Sequence, residues 1–143
     1  MKKYFIALGS NLETQNLSRQ EVINTALGCF SQFNIILIKV SSFWESRSYP
    51  DKNQPNFINA VSEVRSDLNP YEILYELKTI ETKMGRKNNT RWGNRVLDLD
   101  IISAGSIILP NNFVFNKWLK MPLQKQIKNQ PNELILPLSL IHI

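Results

Sequence analysis

The chain holds one cysteine and one histidine in 143 residues. Cys29 alone excludes an internal disulfide framework and any multi-cysteine zinc site, and it suits a reducing compartment, so a cytoplasmic location is expected. With His142 as the lone histidine there is no Ser-His-Asp or Cys-His set for nucleophilic catalysis. Only five glycines are present, and neither Gly-x-x-x-x-Gly-Lys-[Ser/Thr] nor Gly-x-Gly-x-x-Gly occurs, which excludes a P-loop and a dinucleotide-binding fingerprint. No apolar run approaches the ~20 residues that cross a bilayer. The stretch from Tyr4 to Leu8, behind Lys2 and Lys3, is too short for a secretory leader, so neither export nor membrane insertion is expected.

Hydrophobic residues make up 43% and charged residues 20%, a globular mixture that disfavours disorder. The length suits a single domain over residues 1–143. Seventeen Lys and Arg against twelve Asp and Glu give a net charge of +5, so an anionic partner is admissible: nucleic acid, a nucleotide polyphosphate, or nothing specific.

Tyr4 to Gly9 reads as a strand ending in a Gly-Ser-Asn turn. Ser18 with Glu21 three residues on is a capping box, and Val22, Ala26, Leu27 and Phe30 follow at helical spacing, which predicts a helix over 18–31. Ile35 to Phe43 alternates as a second strand, Ser46 to Pro55 reads as a loop, and Phe57 to Val64 as a third strand. Asn69-Pro70-Tyr71-Glu72 supplies an N-cap, a proline at the first helical position and a reciprocal glutamate. Ile73, Leu77, Ile80 and Met84 then mark a helix over 70–84, stopped by Gly85. After a basic loop from Arg86 to Arg95, Val96 to Ser103 is a fourth strand. The order βαββαβ predicts an α+β, ferredoxin-like fold, an antiparallel sheet with both helices on one face. Beyond it, Ile107 to Leu109 is a candidate edge strand, and the rest is expected to be an irregular C-terminal extension, with Asn111 to Asn132 polar and irregular apart from Phe113 to Leu119 and Leu134 to Ile143 apolar again.

The fourth strand carries the chemistry. In Leu97-Asp98-Leu99-Asp100-Ile101 the two carboxylates stand at i and i+2 and project from one face, the three apolar side chains from the other. Carboxylates about 7 Å apart on a strand repel unless a cation compensates them, and paired oxygen ligands suit Mg²⁺ that is also held by phosphates. A solvated acidic strand face is the plain alternative. Immediately before the pair, Arg86-Lys87-Asn88-Asn89-Thr90-Arg91-Trp92-Gly93-Asn94-Arg95 gathers four cations around one indole, a composition suited to phosphate oxygens. Taken alone, it is also an ordinary solvated basic loop.

Four ordered segments resemble one family: Ala7-Leu8-Gly9-Ser10-Asn11-Leu12, Ser41-Ser42-Phe43, Gln54-Pro55-Asn56-Phe57-Ile58-Asn59-Ala60, and Arg91-Trp92-Gly93-Asn94-Arg95-Val96-Leu97-Asp98-Leu99-Asp100-Ile101. Together they look like 6-hydroxymethyl-7,8-dihydropterin pyrophosphokinase of folate biosynthesis. The resemblance implies transfer of the β,γ-diphosphate of ATP to the pterin hydroxymethyl group, leaving AMP. It implies that Asp98 and Asp100 bridge two Mg²⁺ ions on the ATP phosphates, that Trp92 and Arg95 act in catalysis, and that Lys78, Glu81, Arg86, Arg91, Trp92, Arg95 and Ile101 meet ATP. Phe57 would stack on the pterin ring, Asn59 would bond its edge, and Ser46 and Tyr49 would line the pocket, mainly through backbone groups. A monomer without membrane or nucleic-acid partners is expected.

The C-terminal third departs from that family pattern. Met121-Pro122-Leu123 stands where the family usually has a proline followed by a phosphate-contacting histidine, which implies weakened turnover. Two other readings stay open: a relative that binds nucleotide or pterin without turnover, and a ferredoxin-like RNA binder, although the Lys/Arg-Gly-Phe motif of the latter is missing.

Overall fold

A computed structural model describes residues 1–11, 17–48, 53–85, 96–128 and 133–138. Strand β1 (Lys2–Ser10) leads to helix α1 (Arg19–Cys29) and a 3₁₀ turn over Phe30–Phe33. Strands β2 (Ile36–Val40), β3 (Trp44–Ser46) and β4 (Phe57–Ser66) follow, then helix α2 (Pro70–Lys83) and strand β5 (Asp98–Ala104). Helices α3 (Asn112–Lys120) and α4 (Leu123–Lys128) come last.

Both capping boxes form. Ser18 Oγ accepts from the Glu21 amide at 3.2 Å while Glu21 Oε1 accepts from the Ser18 amide at 3.1 Å. Asn69 Oδ1 accepts from the Glu72 amide at 2.9 Å, and Glu72 Oε1 from the Asn69 amide at 3.0 Å. Each box satisfies two amides that a helix start leaves without partners. Gly85, at φ 98°, stands in the left-handed region just past the end of α2, where a Cβ would be strained.

Among the described residues five strands make one antiparallel sheet in the order β2-β4-β1-β5, with β3 also on β4. That is the ferredoxin-like arrangement the βαββαβ order predicts, with β1 central. The alternation of β1 sends Tyr4, Ile6 and Leu8 into one cluster with Val22, Ile23, Ala26 and Leu27 of α1 and with Ile73, Leu77 and Ile80 of α2. Val64 and Ala60 of β4 and Leu99 and Ile101 of β5 complete the same core. Both helices therefore cover one face, and the other face is left for a site.

Three expectations need correction. The run over Ile35–Phe43 is broken: β2 ends at Val40, and β3, whose last residue Ser46 falls in the stretch that reads as loop, pairs Ser46 with Phe57. The break comes at Ser41 and Ser42: the Ser41 amide donates to the Val61 carbonyl at 2.8 Å, and Ser41 Oγ accepts from the Val61 amide at 2.9 Å, so the side chain takes the place of a backbone carbonyl in the link to β4. The candidate edge strand at Ile107–Leu109 reduces to an isolated bridge between Leu109 and Leu136. The extension is not irregular but forms α3 and α4, because Asn111 Oδ1 caps the Val114 amide at 2.9 Å and Gln126 Nε2 donates to the carbonyls of Trp118 at 2.8 Å and Met121 at 3.0 Å.

Candidate functional site on the open face of the sheet

Directly opposed residues of an antiparallel ladder share a face. Gly9 of β1 lies opposite Asn59 of β4 on one side and Asp98 of β5 on the other, and Asn59 lies opposite Trp44 of β3. Trp44, Asn59, Gly9 and Asp98 thus form one row across four strands on the face away from the helices. In the next row Ala7 lies between Val61 and Asp100. Asp98 and Asp100 share this face and are both half-buried, while Leu99 and Ile101 are buried on the helix side. Asn59 and Asp98, two strand spacings apart, are separated by about 10 Å.

Gly9 is the floor of this row. A Cβ built there would lie 3.2 Å from Phe57 Cδ1, 3.7 Å from Phe57 Cε1 and 3.4 Å from Asn59 Oδ1. The missing side chain is what lets the Phe57 ring and the Asn59 amide approach the central strand. Asn59 is 3% exposed, and its Nδ2 donates to Ser46 Oγ at 2.7 Å. Ser46 uses one of two Nδ2 hydrogens, so a donor and the Oδ1 acceptor face the row, and the half-buried Phe57 ring stands beside them. A flat ring bordered by adjacent donors and acceptors fits that pair.

Glu81 behaves differently from its neighbour on α2. Lys78 is exposed, whereas Glu81 is 3% exposed and its Oε2 accepts from the Leu99 amide at 2.8 Å. The carboxylate thus anchors the backbone of β5 between the two aspartates. Lys78 and Glu81, three residues apart on α2, thus take one solvent-facing and one interior position, because α2 packs on β5 along the side that carries Glu81. Ile101 is 3% exposed with its side chain in the core. Tyr49, Arg86, Arg91, Trp92 and Arg95 lie outside the described residues.

Three participants were not legible beforehand. Asn11, just beyond β1, donates through Nδ2 to Ser48 Oγ and to the Pro55 carbonyl, both at 3.2 Å, and Ser48 Oγ donates to the Pro55 carbonyl at 2.5 Å. These buried groups draw the two ends of the β3–β4 connection together beside Phe57. The sequence signals were the Gly-Ser-Asn turn and the place of Asn11 and Pro55 in segments that resemble the family. Trp44, exposed at the end of the row, gave none, because β3 itself was not anticipated.

Comparison with known proteins identifies the family. The family described as 7,8-dihydro-6-hydroxymethylpterin-pyrophosphokinase matches residues 5–130. A protein of Haemophilus influenzae named 2-amino-4-hydroxy-6-hydroxymethyldihydropteridine pyrophosphokinase is 42% identical over 108 residues, covering 75% of this chain and 65% of the relative. Proteins of the same name from Aquifex aeolicus and Bacillus subtilis are 31% and 35% identical over 122 and 99 residues. They cover 85% and 68% of this chain and 70% and 57% of their own lengths, so the chain spans roughly two thirds of the relatives it matches. The match takes in β1 from Phe5 onward, the other described strands and both helices of the core, and with them Gly9, Phe57, Asn59, Asp98 and Asp100. This chain belongs to the 7,8-dihydro-6-hydroxymethylpterin-pyrophosphokinase family.

Proposed function

We propose that residues 1–143 act as one unit that transfers the β,γ-diphosphate of ATP to the hydroxymethyl group of reduced 6-hydroxymethylpterin, giving AMP and the pterin diphosphate in folate biosynthesis. The observation that carries this reading is the shared row: Asn59 and Asp98 flank Gly9 on one open face, so a ring-and-edge recognition pair and a carboxylate pair address the same cleft. A donor row of that length brings an acceptor hydroxymethyl and a polyphosphate within reach of each other.

Asp98 and Asp100 fit a hard divalent cation. An ion held by this pair would complete its shell with phosphate oxygens and water, the usual environment of Mg²⁺. Such an ion, with a second as the family resemblance implies, would neutralise phosphate charge and orient the polyphosphate. Glu81 fixes the register of the strand that carries both carboxylates. Phe57 supplies the stacking face, Asn59 selects the edge, and Ser46 orients Asn59. Arg86, Arg91, Trp92 and Arg95 join on the phosphate side, Lys78 and the Ile101 backbone on the nucleoside, and Tyr49 on the pterin. No covalent intermediate is required, since diphosphate transfer depends on alignment and charge neutralisation. No helix among the described residues is long and apolar enough to cross a membrane, and we place the enzyme in the cytoplasm as a monomer.

Leu123, where the family pattern has a histidine, favours one second reading: binding of both substrates without turnover. Calorimetry of ATP with Mg²⁺ tests the site common to both readings. Asp98→Ala and Asp100→Ala should each weaken Mg²⁺-dependent ATP binding by at least about 10-fold with the fold retained. Unchanged affinity in both would reduce the pair to a solvated strand face.

A further inference from the structure

Phe57 is the first residue of β4 and sits at the margin of the sheet. The β1 ladder ends with Ser10 opposite Ile58, and the β3 ladder ends with Ser46 opposite Phe57. Asn56 therefore lies beyond the last rung of both, and the ring that follows it would swing with it. Arg19, the first residue of α1, reaches this point: its Nη1 donates to the Asn56 carbonyl at 2.7 Å. Glu45 of β3 closes the group, with Oε1 accepting from Asn56 Nδ2 at 3.1 Å and standing 3.9 Å from Arg19 Nη1. Helix α1, strand β3 and the start of β4 meet in these three side chains.

We propose that Arg19, acting with Glu45 and Asn56, is a positioning residue that sets the pose of Phe57 and thereby tunes affinity for the pterin. The inference rests on the functional reading above and deepens it. Two features separate positioning from plain stabilisation. The ion pair is exposed, with 27% and 53% of the two side chains accessible, and such pairs add little to global stability. The charged donor on the Asn56 carbonyl, by contrast, is short and acts on one backbone unit next to the stacking ring. On the other side that ring meets Gly9, whose Cβ position is 3.2 Å from Phe57 Cδ1, so a small shift of residue 56 changes how the ring lies on the floor of the pocket. Asp98 and Asp100 stand two strands away.

The test separates the two substrates. Dissociation constants are measured by calorimetry for ATP with Mg²⁺, and for 6-hydroxymethyl-7,8-dihydropterin in the presence of a non-hydrolysable ATP analogue with Mg²⁺. Arg19→Met should weaken pterin binding about 3- to 10-fold while ATP binding stays within about twofold, and Arg19→Lys, which keeps a donor for the Asn56 carbonyl, should recover most of the loss. Glu45→Ala, which leaves Arg19 in place, should weaken pterin binding about 2- to 5-fold in the same selective way and provides the test if Arg19→Met does not fold. Pterin binding unchanged in both variants, or an equal loss for ATP, would overturn the positioning role. Absence of pterin binding in the unaltered chain would overturn the functional reading beneath it.

Discussion

At the scale of single residues, Gly9 and Leu123 carry the sharpest expectations. A methyl group at position 9 would press on Phe57 Cδ1 at 3.2 Å, and the ring would have to tilt or lift. Gly9→Ala should therefore weaken pterin binding about 3- to 10-fold and leave Mg²⁺-dependent ATP binding unchanged, as read by titration of each ligand. Leu123 offers no donor to a phosphate oxygen, and loss of one donor to a transition state commonly costs about 10²–10³ in rate. Leu123→His should raise AMP release measurably, and an unchanged rate would mean that position 123 does not limit turnover. Much of the site was readable at this scale, because period-two alternation alone places Asp98 with Asp100 and Phe57 with Asn59. Glu81 was not, since its sequence neighbours give no sign that its carboxylate turns inward to the Leu99 amide. Arg19 and Glu45 were equally silent. Their partner is a backbone carbonyl, and which carbonyl a side chain meets is decided by the register of β3 on β4 and not by residue type.

The elements differ in how strongly local sequence specifies them. Helix α2 has cap, proline, reciprocal glutamate, apolar stripe and glycine stop in agreement, and the structure ends it within a residue of the expected bound. Asn69→Ala removes the acceptor from the Glu72 amide and should cost about 1 kcal/mol in denaturant unfolding. Strand β3 is not anticipated and the segment of helix α3 carries no assignment from sequence, because local pattern is weakest there. β3 is a three-residue strand made by its neighbour β4, and α3 begins with the aromatic and β-branched run Phe113-Val114-Phe115 that ordinarily argues for a strand. Its helix depends on the Asn111 cap. Strand β1 is tied to the turn before α2 by Tyr4, whose buried hydroxyl donates to the Leu68 carbonyl at 2.5 Å. Burial, with a smaller contribution from the Glu72 charge, pushes this phenol from 10.0 up to about 12. Because the folded chain holds the proton more tightly than the unfolded chain, this contribution is complete below pH 10 and is lost as pH rises from about 10 to about 12. Tyr4→Phe should therefore show a flatter stability profile over that interval, as followed by urea unfolding at stepped pH. Parallel profiles for the two proteins would contradict the assignment.

Over the whole molecule, the fold follows from both helices finding partners on one side of the sheet. The β-strands then present period-two side chains to an uncovered face, and register across β3, β4, β1 and β5 collects residues that are far apart in the chain: Trp44, Asn59, Gly9 and Asp98. Sequence order was enough to anticipate the topology, because capping boxes and alternating strands fix where elements start. It could not give the rows, since a one-residue slip of any ladder would send these side chains to the other face. The central claim is that one row holds a pterin and the phosphates of ATP so that a diphosphate moves between them. The most direct measurement is phosphorus NMR of the protein incubated with ATP, Mg²⁺ and 6-hydroxymethyl-7,8-dihydropterin, with Asp98→Ala alongside. The account predicts AMP and a pterin diphosphate ester in equal amounts, formed only when pterin and Mg²⁺ are both present and lost in Asp98→Ala. ADP with a pterin monophosphate, or equal product from Asp98→Ala, would contradict it.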